Sequence, residues 1–216
     1  MKDLKVGLLG NVAYHNLHYY TGGEAVKDIS TAMKQDILIF TGGGDICPVL
    51  YDEEDRFCAG IDIARDLFEK NVLIHATALG IKILGICRGH QLINAVLGGK
   101  LIQDIFSETG NLHWNSSKMK NGFGVWKRIH DFTPEEESFW SYESLAHLFP
   151  VVNTYHHQAV LIPGKGLDVI LNSRDGIIEA TCSKDHNIVT FQFHPEWDHV
   201  GDRYFKRMME TGQLIW

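Results

Sequence analysis

The feature that most constrains this chain is an apolar run, Ile81 to Ile86, which ends in Gly85-Ile86-Cys87-Arg88-Gly89 and passes at once into a helix-like stretch, Gln91 to Leu97. A buried strand that turns sharply into a helix belongs to α/β architecture. At the tip of such a turn a side chain is thrust clear of the sheet, and a cysteine there stands where α/β enzymes expose a nucleophile. Glycines on both sides suit the turn, because a side chain at either position would clash in so tight a bend. The free N–H groups and positive dipole end of the following helix favour thiolate over thiol.

The rest of the chain extends that pattern. Leu4–Gly10 and Asp36–Phe40 are apolar strand candidates, and Tyr14–Gly23 is loop-like and rich in aromatics and histidine. Glu24–Lys34 has the helical spacing of Val26, Ile29 and Met33, and Asp62–Leu79 predicts a long amphipathic helix with Leu67, Val72 and Ile74 among charges. Gly89–Leu97 predicts a helix closed by Gly98-Gly99. Strands alternating with helices argue for a parallel sheet covered on both faces. Phe106–Pro150 is polar and aromatic, with Glu135-Glu136-Glu137 as a solvated helix start, a strand over Gly124–Ile129 and a short helix over Tyr142–Leu148. Val151–Tyr155, Leu167–Asn172, Ile177–Cys182 and Ile188–Phe193 follow as closely spaced strands, which favours antiparallel pairing, and Arg203–Glu210 is a closing helix. The expected fold is α/β: a single domain over residues 1–216, with a mostly parallel central sheet flanked by helices, flavodoxin-like, and antiparallel strands in the C-terminal half.

Bulk properties narrow the function classes. With 216 residues and 44% hydrophobic content, one substantial core is expected. A formal net charge of −7 disfavours nucleic acid and anionic membrane as partners. No apolar run approaches the ~20 residues of a membrane span. The N-terminus, MKDLKVGLLG, has too short an apolar stretch for a signal peptide, so a cytoplasmic location is expected. The four cysteines, at 47, 58, 87 and 182, show neither zinc-finger spacing nor a disulfide framework. His156 and His157 are sequence neighbours, and neighbours on a strand point to opposite faces, which makes them a poor two-ligand metal site. Neither a metal nor a cofactor is expected.

A thiol at neutral pH is mostly protonated, so Cys87 needs a base. His194 is the best candidate: it ends the apolar strand Phe191-Gln192-Phe193 and precedes Pro195. Glu196 lies two residues on, and in an extended chain residues two apart share a face, so its carboxylate can hold the imidazole from the same side. For an oxyanion, the backbone N–H of Arg88 is one natural donor. The run Gly42-Gly43-Gly44 ends the second strand, beyond the carboxyl edge of the sheet where α/β sites form, so Gly43 and Gly44 are candidate donors too. The run lacks the Lys-Ser or Lys-Thr of a phosphate loop and the Gly-x-Gly-x-x-Gly spacing.

At this point the residues resemble a family. Cys87, His194 and Glu196 match the catalytic triad of class I glutamine amidotransferase-like proteins, and the chain is most similar to the peptidase C26 group, γ-glutamyl hydrolases acting on γ-glutamyl-γ-aminobutyrate and related amides. Gly42 to Tyr51 resembles that group's Gly-Gly-x-Asp-x-x-Pro-x-x-Tyr loop, and Arg65-Asp66 its Arg-Asp pair. Gly85 to Ile105 follows the group's pattern along its length, Asn153 to Val160 resembles its Asn-Ser-x-His-His-Gln segment, and Gln192 to Trp197 its terminal Gln-x-His-Pro-Glu-Trp. The Phe106–Pro150 region, with Trp114, Trp126 and Trp140, departs from the pattern, as does Tyr14–Tyr20. In the superfamily such middle segments border the substrate entrance.

The resemblance implies a thioester mechanism, with Cys87 attacking a γ-glutamyl carbonyl and His194 protonating the departing amine before activating water. It implies that Gln91, His157 and Gln158 bind the glutamyl end, while Arg65 supports the fold. The expected partner is a small-molecule γ-glutamyl substrate, with a homodimer left open. A second reading is a glutaminase subunit that supplies ammonia to a separate synthetase.

Overall fold

The computed structural model describes residues 4–10, 16–110, 113, 125–128 (backbone only), 149, 151–173, 175–185, 187–197, 199 and 201–215. The chain runs β1 (Val6–Leu9), α1 (Leu17–Thr21), β2 (Glu24–Ala25), α2 (Ile29–Ala32), β3 (Ile37–Phe40) and a 3-10 turn (Pro48–Tyr51). It continues through α3 (Ile63–Ala78), β4 (Lys82–Ile86), α4 (Arg88–Val96), β5 (Lys100–Ile102), α5 (Ile105–Thr109) and β6 (Val125–Arg128). The last elements are β7 (Val151–Thr154), β8 (Ala159–Ile162), β9 (Leu167–Asn172), β10 (Ile178–Ser183), β11 (Ile188–Phe191) and α6 (Asp202–Thr211).

Among the described residues nine strands form one sheet, in the order β2-β1-β3-β4-β11-β10-β8-β5, with β9 added against β10. From β2 through β11 every pairing is parallel. From β11 onward every pairing is antiparallel, including β9 on β10. β6 and β7 form a separate antiparallel pair. The single α/β fold with a mostly parallel sheet and antiparallel C-terminal strands is therefore as expected.

Strand periodicity explains the two cores. Ile37 and Ile39 of β3, with Leu84 and Ile86 of β4, pack on one side with Phe205 and Met208 of α6. Leu38, Phe40 and Ile83 face the other side, with Val72, Leu73 and Ala76 of α3 and Leu92 and Ile93 of α4. Alternate residues serve opposite faces, and both faces are covered, so these strands are continuously apolar.

Three local readings are corrected. Glu24–Lys34 is not one helix: Glu24 and Ala25 pair with β1, and Asp28 then caps a short helix by accepting from the Thr31 N–H at 2.8 Å. Val26 follows the strand edge, its N–H donating to Leu8 O at 2.9 Å, so its apparent helical spacing with Ile29 is accidental. Within Tyr14–Gly23, residues 17–21 form α1, closed by Gly22 at φ 63°. In α3, Leu67 and Ile74 are half exposed, while Asp66 and Glu69 are buried with Val72. Two strands were also not anticipated, β5 and β8, together with α5. The Gly124–Ile129 expectation corresponds to β6, whereas the expected helices at Tyr142–Leu148 and Glu135–Glu137 lie outside the described residues. No helix among the described residues is long and apolar enough to cross a membrane.

Candidate active site

Three neighbouring parallel strands deliver the candidate residues to one edge of the sheet. β3 pairs with β4 through Phe40 opposite Gly85, and β11 pairs with β4 through Phe191 opposite Ile86. The chain leaves β3 into the glycine run, β4 into Cys87 and β11 into His194. The site thus forms beyond the carboxyl ends of the strands.

Cys87 is the hinge between β4 and α4, at φ 51° and ψ −103°. A non-glycine residue at positive φ is strained, by about 1–3 kcal/mol, and is kept there by its surroundings. Its N–H donates to Phe191 O at 2.7 Å, and its carbonyl accepts the Gln91 N–H at 3.1 Å. The flanking glycines are sterically required. A Cβ on Gly85 would lie 2.7 Å from Ile93 Cδ1 and 2.9 Å from the Gly89 carbonyl, and one on Gly89 would lie 2.1 Å from Phe40 O.

His194 is held on every side. Its Nδ1 pairs with Glu196 Oε1 at 2.8 Å, and its ring lies within electrostatic reach of Cys87. Burial, the largest single influence, depresses the imidazole, but the negative charges of Cys87 and then Glu196 outweigh it and raise the ring's pKa. Its backbone is clamped by Asn153, whose Oδ1 accepts the His194 N–H and whose Nδ2 donates to His194 O, both at 2.8 Å. The Trp197 indole stacks on the imidazole at 3.9 Å and 4°, and Tyr155 meets both rings edge-on. Asn16 donates to Glu196 O at 3.3 Å. A thiol, an imidazole and a carboxylate grouped in this way can form a thiolate–imidazolium pair.

A buried ion network organises the facing loop. The Arg88 guanidinium is bound to Asp66 and Glu69, and Arg65 Nε donates to Glu69 Oε1 at 2.7 Å. Asp66, Glu69 and Arg88 are at most 2% exposed. Burial pushes the Asp66 carboxyl up, against the Cys47 N–H and the Arg88 charge. Arg65 Nη2 donates to Thr41 O at 3.0 Å and to Gly42 O at 3.1 Å. In a trans peptide the N–H points opposite to the carbonyl, so the N–H groups of Gly42 and Gly43 are turned away from Arg65. A Cβ on Gly43 would lie 3.0 Å from Arg88 Cδ, so Gly43 adjoins the first residue of α4. A Cβ on Gly44 would lie 2.3 Å from Gly60 O, which leaves only glycine room at that position.

The other expected binding residues are near but already engaged. Gln91 is buried, and its Nε2 donates to Gln158 O and Gln192 Oε1, both at 3.2 Å. Gln158 is buried, with Nε2 on Cys58 Sγ at 3.2 Å and no hydrogen-bond partner for Oε1 among the described residues. His157 spends both ring nitrogens on carboxylates, Nε2 on Asp45 at 3.0 Å and Nδ1 on Asp104 at 3.1 Å. It therefore ties the glycine loop to the start of α5. Asn153 and Trp197, which position His194, carried no assigned role in the sequence, although both lie inside family-like segments, Asn153 to Val160 and Gln192 to Trp197. Trp114 and Trp140 lie outside the described residues, as does the Trp126 side chain.

A sheet that is parallel through β11 and antiparallel beyond it, with a cysteine at the tip of a strand-to-helix turn, is also the arrangement of solved glutamine amidotransferases. In keeping with this, 97% of the chain superposes on 84% of a glutamine amidotransferase from Thermotoga maritima, with a TM-score of 0.57 at 14% identity. The chain belongs to the Peptidase C26 family, whose model matches residues 21–196. It is 31% identical over 188 residues to the glutamine amidotransferase-like protein YvdE of Lactococcus lactis, covering 87% of this chain and 76% of that protein. It is also 30% identical over 132 residues to one subunit of the glutamine-hydrolyzing GMP synthase of Sulfurisphaera tokodaii, covering 59% of this chain and 58% of that one. Family membership makes the protein a cysteine-dependent hydrolase of C–N amide bonds.

Two outcomes follow from these contacts. Glu69→Gln leaves two guanidinium groups facing one remaining carboxylate in a buried network, so unfolding in urea should show a loss of about 3–5 kcal/mol. Glu53→Gln, in the exposed pair with Arg56, should change stability far less. His157 is raised above its ordinary 6.5, chiefly by its hydrogen bond to Asp45 and against burial. A raised folded value stabilises fully below the unfolded value and is lost as pH rises through the folded one. The melting-temperature gap between the natural protein and His157→Gln should therefore be widest below pH 6.5, while the carboxylates stay ionised, and narrow as pH climbs; a flat gap would contradict the pairing.

Proposed function

We propose that the protein is a free-standing hydrolase of γ-glutamyl amides, working through a γ-glutamyl thioester. The observation that carries this reading is the strained Cys87 at the head of α4, within electrostatic reach of an imidazole that Glu196 holds through Nδ1. The Cys87 thiolate attacks the γ-carbonyl, and the oxyanion is met by the Arg88 N–H and by those of Gly43 and Gly44. The His194 imidazolium gives its proton to the departing amine as the C–N bond breaks. Neutral His194 then takes a proton from water, whose oxygen attacks the thioester; glutamate leaves and the thiolate returns. Glu196 fixes the ring and balances its charge throughout.

Gln91 and Gln158 are assigned to the glutamyl end. The buried Gln158 Oε1 is an acceptor suited to the substrate's α-ammonium group. His157 serves the same end through the loop it holds, since both its nitrogens are committed to carboxylates. A second reading, a glutaminase subunit serving a separate synthetase, requires a partner chain and is favoured by the likeness to part of a GMP synthase.

The test is glutamate release by the purified protein alone from a panel of γ-glutamyl amines and glutamine, with Cys87→Ala as the blank. Rapid release from one γ-glutamyl amine is expected. Cys87→Ser should abolish it without altering the fold, and His194→Asn should slow alkylation of Cys87 at neutral pH. Silence across the amines with slow glutamine cleavage would favour the glutaminase reading, and full activity in Cys87→Ser would remove Cys87 as nucleophile.

A further inference from the structure

Beside the residues already assigned, three buried side chains from distant parts of the sequence converge. His113, His156 and Glu179 are 0%, 6% and 2% exposed, and one ligand-type atom from each lies within 4.8 Å of the others. His113 Nε2 stands 3.3 Å from His156 Nε2 and 3.4 Å from Glu179 Oε1. Around a tetrahedral zinc ion with bonds of about 2.0–2.1 Å, adjacent donor atoms sit about 3.3 Å apart, so both separations match an edge of such a site.

The outer contacts orient both rings. His113 Nδ1 faces Asp175 Oδ2 at 2.7 Å, and His156 Nδ1 faces Gln158 O at 2.8 Å. A carbonyl only accepts, so His156 must carry a hydrogen on Nδ1, and in its neutral form Nε2 presents a lone pair inward. Burial favours that neutral form. A ligating histidine held at its other nitrogen by a carboxylate or a backbone carbonyl is the usual supporting arrangement of protein metal sites. The inward set is two imidazole nitrogens and one carboxylate, and a divalent cation offsets the charges that Glu179 and Asp175 bring. Imidazole donors select zinc-class metals over magnesium or calcium, which prefer all-oxygen sites.

We propose that His113, His156 and Glu179 form a buried binding site for a zinc-class divalent cation, with Asp175 and the Gln158 carbonyl as its outer support. Three protein ligands leave one coordination position for water or a small ligand. The metal joins the residue-113 segment, the β7–β8 connection and the start of β10. It takes no part in the thioester steps and acts by fixing the connection that carries His157 and Gln158.

The whole protein, stripped by a chelator, is titrated with Zn²⁺ alone against a chromogenic chelator. One equivalent should bind and raise the melting temperature. His113→Ala and Glu179→Gln, checked for folding by circular dichroism, should each weaken binding at least tenfold. Absence of stoichiometric uptake by the natural protein, or unchanged affinity in folded variants, overturns the proposal. If the variants do not fold, Co²⁺ loaded into the natural protein decides. Four-coordinate visible bands without a thiolate charge-transfer band support the site; a thiolate band or a six-coordinate spectrum overturns it.

Discussion

The site depends on the buried guanidinium of Arg88. Asp66 and Glu69 lie one helical turn apart on the inner face of α3, and without a cation between them they would be two repelling carboxylates in the core. Arg88 supplies that cation from the first position of α4, directly after Cys87. Arg65 shares Glu69 and reaches the carbonyls of Thr41 and Gly42, while Asp66 also accepts the Cys47 N–H at 2.9 Å. One network with two positive and two negative members thus grips the head of α4, the glycine run and the chain that leaves it. Burying the charges of Asp66, Glu69 and Arg88 is costly, and replacing such a network by apolar residues of similar volume is often neutral or stabilising. They could not grip backbone carbonyls, and it is those contacts that aim the loop's N–H groups.

The strain at Cys87 is tied to the same geometry. Its N–H is held by Phe191 O, so the residue at positive φ is locked to the last residue of β11. Three residues further along that chain is His194. The hydrogen bond that stabilises the strained backbone therefore also sets the register between thiol and imidazole. A slip of β11 by one residue would turn its side chains to the other face and take His194 out of register with Cys87. Asn153, bridging from β7 to both backbone groups of His194, holds the same register from the other side.

What could be read in the sequence divides by range. The strands β1, β3, β4 and β11 were legible because burial on both faces leaves continuous apolar runs. The Cys87 turn was legible because its glycines are close in sequence. α3 was legible as a helix, yet its buried face was misread. Apolar spacing pointed to Leu67 and Ile74, which are half exposed, whereas two carboxylates face inward. Hydropathy assigns charges to solvent, and only a partner 19 to 22 residues away in sequence reverses that assignment. Glu24–Lys34 failed for a related reason: strand addition beside β1 is a long-range pairing that local periodicity cannot report. The His113 cluster was invisible because its first two members are 43 residues apart.

The β7–β8 connection brings these levels together. Along residues 155–158 successive side chains go to different places: Tyr155 to the rings of Trp197 and His194, His156 to His113, His157 to Asp45 and Asp104, Gln158 to Cys58. These residues lie between β7 and β8, in a connection with a bend at His157, and their side chains diverge, so the adjacent histidines do not share one site. The same divergence lets them do unrelated work. Carboxylates raise His157, and burial lowers His156. Two identical side chains joined by one peptide bond are pushed in opposite directions by environment alone. A substitution at either position tests a different part of the molecule: the glycine loop in one case, the buried cluster that includes Glu179 of β10 in the other.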